Sequence, residues 1–358
     1  MVVGMANIME YVKYYKDKSF DEILFNDVDS LIFSQISYVD FSSILKEEML
    51  PISLIDLGRE YFSKVAREEM KSKAKLFRQT YDLFNAIYNT TRYKDIVITN
   101  YKDVLNSETQ FCALTFRYKK IFSYIAFKGT DRSVIGWKED FDMSYSYPIP
   151  SQKLAIDFLE NSVSFFDKNV YVGGHSKGGN LALVSALGSS SFVRHRLKCI
   201  YSFDGPGLRA SEYHSIAYSK IQNKLRLIIP NESIVGLLLH HDFDYEVVES
   251  NGKGIFQHDA FTWQCFGGVF VPGVLSKRSI QFSKSMKQFL ATTPYLEQRE
   301  LIDAVYSLFK KAEIDNIEHI SLTKILKAIT LVNTVTSDKK MMEKIRKILT
   351  IFVNYYSF

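Results

Sequence analysis

The chain has 358 residues, 46% hydrophobic and 24% charged, with a formal net charge of +5. These proportions suit one large folded domain with additions, or two domains, and exclude a largely disordered chain. No apolar run approaches transmembrane length, and the opening residues Met1 to Met5 are too short and uncharged for a signal peptide, so a cytoplasmic location is expected.

Residues 1–89 are predicted to be a helical extension packed on the core, because 29–36 and 60–85 both show helical apolar spacing. Residues 90–266 alternate strands with helices. Runs 110–116 and 122–127, split by Lys119 and Lys120, predict a hairpin; a helix is expected over 152–166 and strands over 169–172, 199–203, 225–229 and 245–248. That alternation predicts an α/β protein with a mainly parallel sheet. Gly267-Gly268 and Pro272-Gly273 mark a boundary, and 267–358 is expected to form about four helices separated near Thr293-Pro294, Asp315-Asn316 and Ser337-Asp338. From Val271 onward there are 14 Lys and Arg against 8 Asp and Glu. Such a basic tail suits peripheral contact with anionic lipid, although the same charges commonly only solvate the outer faces of packed helices. Neither an aromatic–basic nucleic-acid motif nor a G-x-x-x-x-G-K-[ST] phosphate loop is present, so no nucleic acid and no cofactor is expected.

Chemistry concentrates at Gly174-His175-Ser176-Lys177-Gly178, which follows a short β-like run and precedes the apolar, helix-forming run 181–187. A sharp strand-to-helix turn lifts a serine hydroxyl clear of a sheet, and Gly174 and Gly178 leave room for the crowded backbone. In that setting Ser176 is the candidate nucleophile. Its acid and histidine should follow in that chain order. Asp204 ends the predicted strand 199–203 at Asp204-Gly205-Pro206-Gly207, where an acid that orients an imidazole belongs; capping the Gly-Pro turn is the plainer use of the same residue.

Of the seven histidines, His175 lies inside the elbow and suits a shaping role, while His195 and His214 read as surface residues. His240-His241-Asp242 has adjacent side chains pointing apart and no spaced third ligand, so no metal site is expected; His319 lies far along the chain. His258 sits on the loop after strand 245–248, from which it could fold back over Ser176 as general base. Main-chain N–H groups of Thr130 and Lys177 could converge on the oxygen of a tetrahedral intermediate, with Asp140 fixing the Thr130 hydroxyl. Cys112, Cys199 and Cys265 show no C-x-x-C spacing and read as buried reduced thiols.

Phe127-Lys128-Gly129-Thr130 with Trp137 and Asp140 resembles the F-R-G-[ST]…W…D segment of fungal-type (class 3) lipases, and Gly174 to Gly178 resembles their G-H-S-x-G. The α/β-hydrolase superfamily is thereby implied. A nearer resemblance is to the Mbeg-like family of bacterial hydrolases, carried by Gly174 to Ala182, Asp204 to Gly207, Pro230 to Leu239, and Gln257-His258-Asp259 with Trp263. The likeness runs from about Asp27 to Trp263 and implies serine esterase or lipase-like chemistry on a small-molecule or lipid ester. One departure stands out. Class 3 lipases place their acid after the strand corresponding to 225–229, where this chain has Asn231-Glu232-Ser233, so Glu232 is the alternative acid to Asp204.

The triad leaves thioesterase and peptidase chemistry open, as well as a binding protein on a hydrolase scaffold. Apolar segments near the candidate residues, the run 234–239 among them, suit neutral acyl groups if they line a pocket, and core packing if they do not.

Overall fold

The computed structural model describes residues 6–106, 109–130, 142–240, 245–313 and 322–356. Its centre is an eight-stranded sheet whose spatial order follows the chain: β1 (Ile52–Ser53), β2 (Ile96–Leu105), β3 (Gln110–Tyr118), β4 (Phe122–Phe127), β5 (Val170–His175), β6 (Leu197–Phe203), β7 (Leu225–Pro230) and β8 (Tyr245–Val248). Strands β1 to β4 form an antiparallel meander, and β4 to β8 pair in parallel. The architecture is α/β, with the predicted hairpin as β3 and β4.

The unbroken strand order explains the two layers around the sheet. Parallel crossovers are right-handed, so strands added in one direction deposit their connecting helices on one face. That face carries helices Pro150–Ser162 and Lys177–Gly188, whose Ala155, Leu159, Leu181 and Val184 pack on Ile125, Phe127, Val172 and Ile200. The opposite face would be bare without the N-terminal helices Ile8–Tyr15, Asp27–Ile36, Leu54–Lys64 and Lys75–Ile87. Their Ile8, Leu31, Leu57 and Phe84 share a core with Phe116, Tyr124 and Tyr201. Strand alternation divides the residues: Tyr124 and Ala126 face the N-terminal layer, Ile125 and Phe127 the crossover layer. Much of the aromatic content sits in the first layer, where Phe20, Phe25, Phe33, Tyr118 and Phe122 meet ring to ring.

A buried ion pair ties this layer together. Arg92 and Asp29 are both fully buried; Arg92 Nε donates to Asp29 Oδ1 at 2.9 Å and Nη2 to Oδ2 at 2.5 Å. The hydroxyls of Tyr93 and Tyr11 also donate to Asp29 Oδ1, at 2.7 and 3.2 Å, and Arg92 Nη1 donates to the Ile23 carbonyl at 3.0 Å.

Two predicted helices are shorter than expected. The apolar spacing over 60–85 is divided among Leu54–Lys64, Arg67–Met70 and Lys75–Ile87. Val65 and Ala66 are extended, which lets the chain double back and set Tyr61 and Phe62 against Tyr81 and Phe84. The helix expected over 152–166 ends at Ser162, leaving Phe165 and Phe166 exposed.

The predicted boundary at 266–267 falls within a small hairpin, Cys265–Phe266 with Val269–Phe270. Four described helices follow, Lys277–Thr292, Tyr295–Lys311, Leu322–Thr330 and Lys339–Tyr356, with their own core of Leu301, Leu308, Ile325, Ile345 and Leu349. The expected break at Asp315-Asn316 lies outside the described residues. Helix Lys277–Thr292 places Phe282 and Met286 against Ile234, so that part of the run 234–239 is core packing. Among the described residues no helix is long and apolar enough to cross a membrane.

Candidate active site

Strand β5 ends at His175, and helix Lys177–Gly188 begins two residues later. Ser176 lies between them at φ 57° and ψ −131°, a conformation that costs a non-glycine residue about 1–3 kcal/mol and must be held by its surroundings. The flanking glycines are required by close approach. A Cβ on Gly174 would sit 2.3 Å from the Gly178 carbonyl carbon, and one on Gly178 would sit 2.1 Å from the Phe127 carbonyl oxygen. The elbow is therefore wedged against the end of β4.

Register brings the carboxylate alongside. His175 pairs with Phe203 in the parallel β5–β6 ladder, so the next residues, Ser176 and Asp204, leave the sheet side by side. The Ser176 N–H donates to the Phe203 carbonyl at 2.9 Å, and the Asp204 N–H to the Ile228 carbonyl at 2.8 Å. Asp204 is fully buried, with φ 47°. Its Oδ2 accepts from His258 Nδ1 at 2.6 Å, and His258 Nε2 lies 3.0 Å from Ser176 Oγ. A carboxylate can only accept, so Nδ1 carries the proton when the ring is neutral and Nε2 presents its lone pair to the serine hydroxyl. The other oxygen of Asp204 accepts from Ser233 Oγ at 2.5 Å and from the Gly236 N–H at 3.0 Å. A Cβ on Gly236 would meet that oxygen at 2.4 Å, so only glycine lets the amide approach.

Glu232 has a different position from the one its candidacy as acid required. The single Nδ1 proton of His258 is committed to Asp204, and the Glu232 carboxylate accepts from the Gly254 N–H at 2.6 Å and from Gln257 Nε2 at 3.4 Å. It braces the loop that carries the histidine. Three further contacts hold that loop. Trp263 Nε1 donates to the Gln257 carbonyl at 2.7 Å. Asp259, directly after His258, accepts from Lys75 Nζ at 2.6 Å, joining the loop to the N-terminal layer. His175 Nε2 donates to the His258 carbonyl at 2.8 Å. Its own Nδ1 is left to accept from the Tyr38 hydroxyl at 3.2 Å. The two imidazoles lie 4.6 Å apart between ring centres. His175 thus links Tyr38 to the loop that carries His258.

On the other side of Ser176, Thr130 is buried just beyond β4 and Lys177 is the first helical residue. Gly129 makes the approach of the two segments possible, since a Cβ there would lie 2.5 Å from the His175 carbonyl oxygen. Asp140 and Trp137 lie outside the described residues, as do His241, Asp242 and His319. The Lys177 side chain is buried and donates to the Gln110 carbonyl at 3.0 Å. Asn180 donates to the Gly207 carbonyl at 2.7 Å and accepts from Gln152 at 2.8 Å, which ties the elbow helix to the Asp204 turn. Burial pushes the thiols of Cys112, Cys199 and Cys265 up to about 12, so none is a ready thiolate nucleophile. No group of three or more potential metal-ligating side chains occurs among the described residues.

Sequence reading missed Ser233, Gly236, Tyr38 and the Lys75–Asp259 pair. Ser233 and Gly236 both lie in the run Pro230 to Leu239, whose resemblance to a family segment was the one signal that could have found them.

Fold and site together define an α/β protein with a serine, a histidine and an aspartate linked in one hydrogen-bonded row at the carboxyl edge of its sheet. The profile of the Mbeg1-like family matches residues 87–307, and the chain belongs to that family. No curated protein matches it.

Proposed function

We propose that the protein is a serine hydrolase of the α/β-hydrolase superfamily, related to class 3 lipases, that cleaves carboxylic esters through an acyl-enzyme. The observation that carries this reading is the row Asp204–His258–Ser176, with contacts of 2.6 and 3.0 Å, ending on a serine held in a strained turn at a helix N-terminus. In the proposed reaction Ser176 Oγ attacks the ester carbonyl while His258 Nε2 takes its proton, and the same nitrogen returns that proton to the departing alcohol. Asp204 holds the imidazole in the required tautomer and stabilises its charged form. The amides of Thr130 and Lys177 are assigned to the oxyanion, where the helix N-terminus adds favourable field. A water activated by His258 then attacks the acyl group and releases Ser176.

Esters are favoured over peptides and thioesters by the resemblance to lipases, whereas the triad alone serves all three. A profile across p-nitrophenyl esters of increasing chain length, matched thioesters and peptides is expected to give the highest kcat/KM with an ester. A wide preference for a thioester or peptide would replace the esterase reading while leaving the triad in place.

A further inference from the structure

Two phenylalanines stand out into water at the end of the sheet opposite Ser176. Phe165 and Phe166 are 72% and 83% exposed. They occupy the centre of the four-residue turn 164–167, positions that glycine and small polar residues ordinarily fill. The Asp167 N–H closes the turn by donating to the Ser164 carbonyl at 3.2 Å, and the Ser164 N–H donates to Asp167 Oδ2 at 2.7 Å. Arg117 donates to the Asp167 carboxylate, and Arg196 Nη1 to the Asp167 carbonyl at 2.7 Å. The tip is firmly held while its rings stay exposed.

The patch reaches into the neighbouring segments. The Arg196 guanidinium lies against both Phe165 and the exposed Phe192, 5.0 and 4.6 Å from their ring centres. Asn169 Nδ2 donates to the Ile121 carbonyl at 2.8 Å, which brings the β3–β4 turn alongside with Lys120. Val170 pairs with Ser123 on one side and Leu197 on the other, so Lys168, before β5, and Lys198, at the start of β6, share this edge. Lys120, Lys168 and Lys198 are exposed, and none forms an ion pair with a described residue. The carboxylates nearby have donors within the fold: Asp167 as above, Glu160 from the Ser190 N–H and hydroxyl, and Asp21 from Lys119 and Tyr118.

Aromatic rings on a rigid tip, ringed by exposed ammonium groups, match a surface that is apolar within and anionic outside. The rings can enter the headgroup boundary while the long lysine side chains reach the phosphates. A protein partner would need a pocket shaped to the tip, whereas a bilayer needs none. We propose that the protein docks on anionic membranes through Phe165, Phe166 and Phe192, with Lys120, Lys168 and Lys198 on the lipid headgroups. The six residues of β5, about 20 Å of strand, separate this tip from Ser176, so docking leaves the Asp204–His258–Ser176 row turned away from the bilayer. The docking does not depend on what that row hydrolyses.

The test is cosedimentation of the full chain with vesicles of phosphatidylcholine alone or of phosphatidylcholine mixed with phosphatidylserine. Partition onto the mixed vesicles is expected to be at least about tenfold stronger than onto the neutral ones, since each lysine at an anionic surface contributes several-fold. Phe165→Ala with Phe166→Ala should weaken it by at least about tenfold, as should Lys168→Gln with Lys198→Gln, whereas Phe166→Trp should keep it. All of these side chains are exposed, so the variants are expected to fold, which circular dichroism checks. Failure of the unaltered protein to bind mixed vesicles overturns the proposal, and so does unchanged binding in the double phenylalanine variant. Equal binding to the two kinds of vesicle overturns the role of the lysines. Loss of binding in Lys339→Gln with Lys340→Gln, beside full binding in the phenylalanine variant, would move the contact to the C-terminal helices. Dimerisation abolished by the phenylalanine variant, without vesicle binding, would assign the patch to a second copy of the chain.

Discussion

Asp204→Asn is expected to lower kcat by about ten-thousandfold, the loss seen when the orienting acid of a comparable triad becomes an amide. The substitution is mild for the backbone, since Asp204 has φ 47° and Asn tolerates that left-handed conformation well. The electrostatic change is severe. Ser233 and the Gly236 N–H already donate to Oδ1, so an Asn would keep its carbonyl oxygen there and turn its amide N–H₂ toward His258 Nδ1. Two donors would then face each other unless the ring shifted its proton to Nε2, where it could no longer accept from Ser176. Glu232→Gln should act only through the loop it braces at Gly254 and Gln257, with a loss of less than about tenfold, because the triad geometry is not its own. Steady-state kinetics on the two variants separate these roles, and a large loss in Glu232→Gln beside an active Asp204→Asn would transfer the acid to Glu232.

Arg92→Met is expected to destabilise the fold by about 3–5 kcal/mol, the usual loss when one partner of a buried ion pair is removed. The carboxylate of Asp29 would remain fully buried with only phenol and backbone donors. The double variant Asp29→Leu with Arg92→Met should lose less than Arg92→Met alone, since it leaves no uncompensated charge. Urea unfolding followed by circular dichroism reads both; a single-variant loss below about 1 kcal/mol would show that the pair does not hold the layer together. The consequence reaches the site. Helix Asp27–Ile36 carries Asp29 and leads directly to Tyr38, whose hydroxyl meets the His175 ring that supports the His258 carbonyl.

The elbow could be read from the sequence because its requirements are local: a strand, a strained serine between glycines, and a helix within about a dozen residues. Asp204 and His258 were legible through chain order and strand ends, but the choice between Asp204 and Glu232 was not. It depends on which carboxylate lies beside Ser176, and that follows from the register of β5 with β6, two strands separated by two helices. The supports of the row were hidden for the same reason. Tyr38 and His175 are 137 residues apart, and Lys75 and Asp259 are 184 apart. The N-terminal helices were expected to pack on the core, but helical periodicity does not show which face of the sheet they cover. The strand order, unbroken from β1 to β8, makes them the second layer of the sandwich. Where the periodicity ran on through 65–74, packing of Tyr61 and Phe62 against Phe84 outweighed local helix propensity.

The proposed hydrolase requires Ser176 to be an activated nucleophile. Incubation of the purified protein with a fluorophosphonate probe, followed by gel fluorescence and peptide mapping, tests it most directly. The account predicts covalent labelling on Ser176 and none in Ser176→Ala; labelling of equal intensity in both proteins would contradict it.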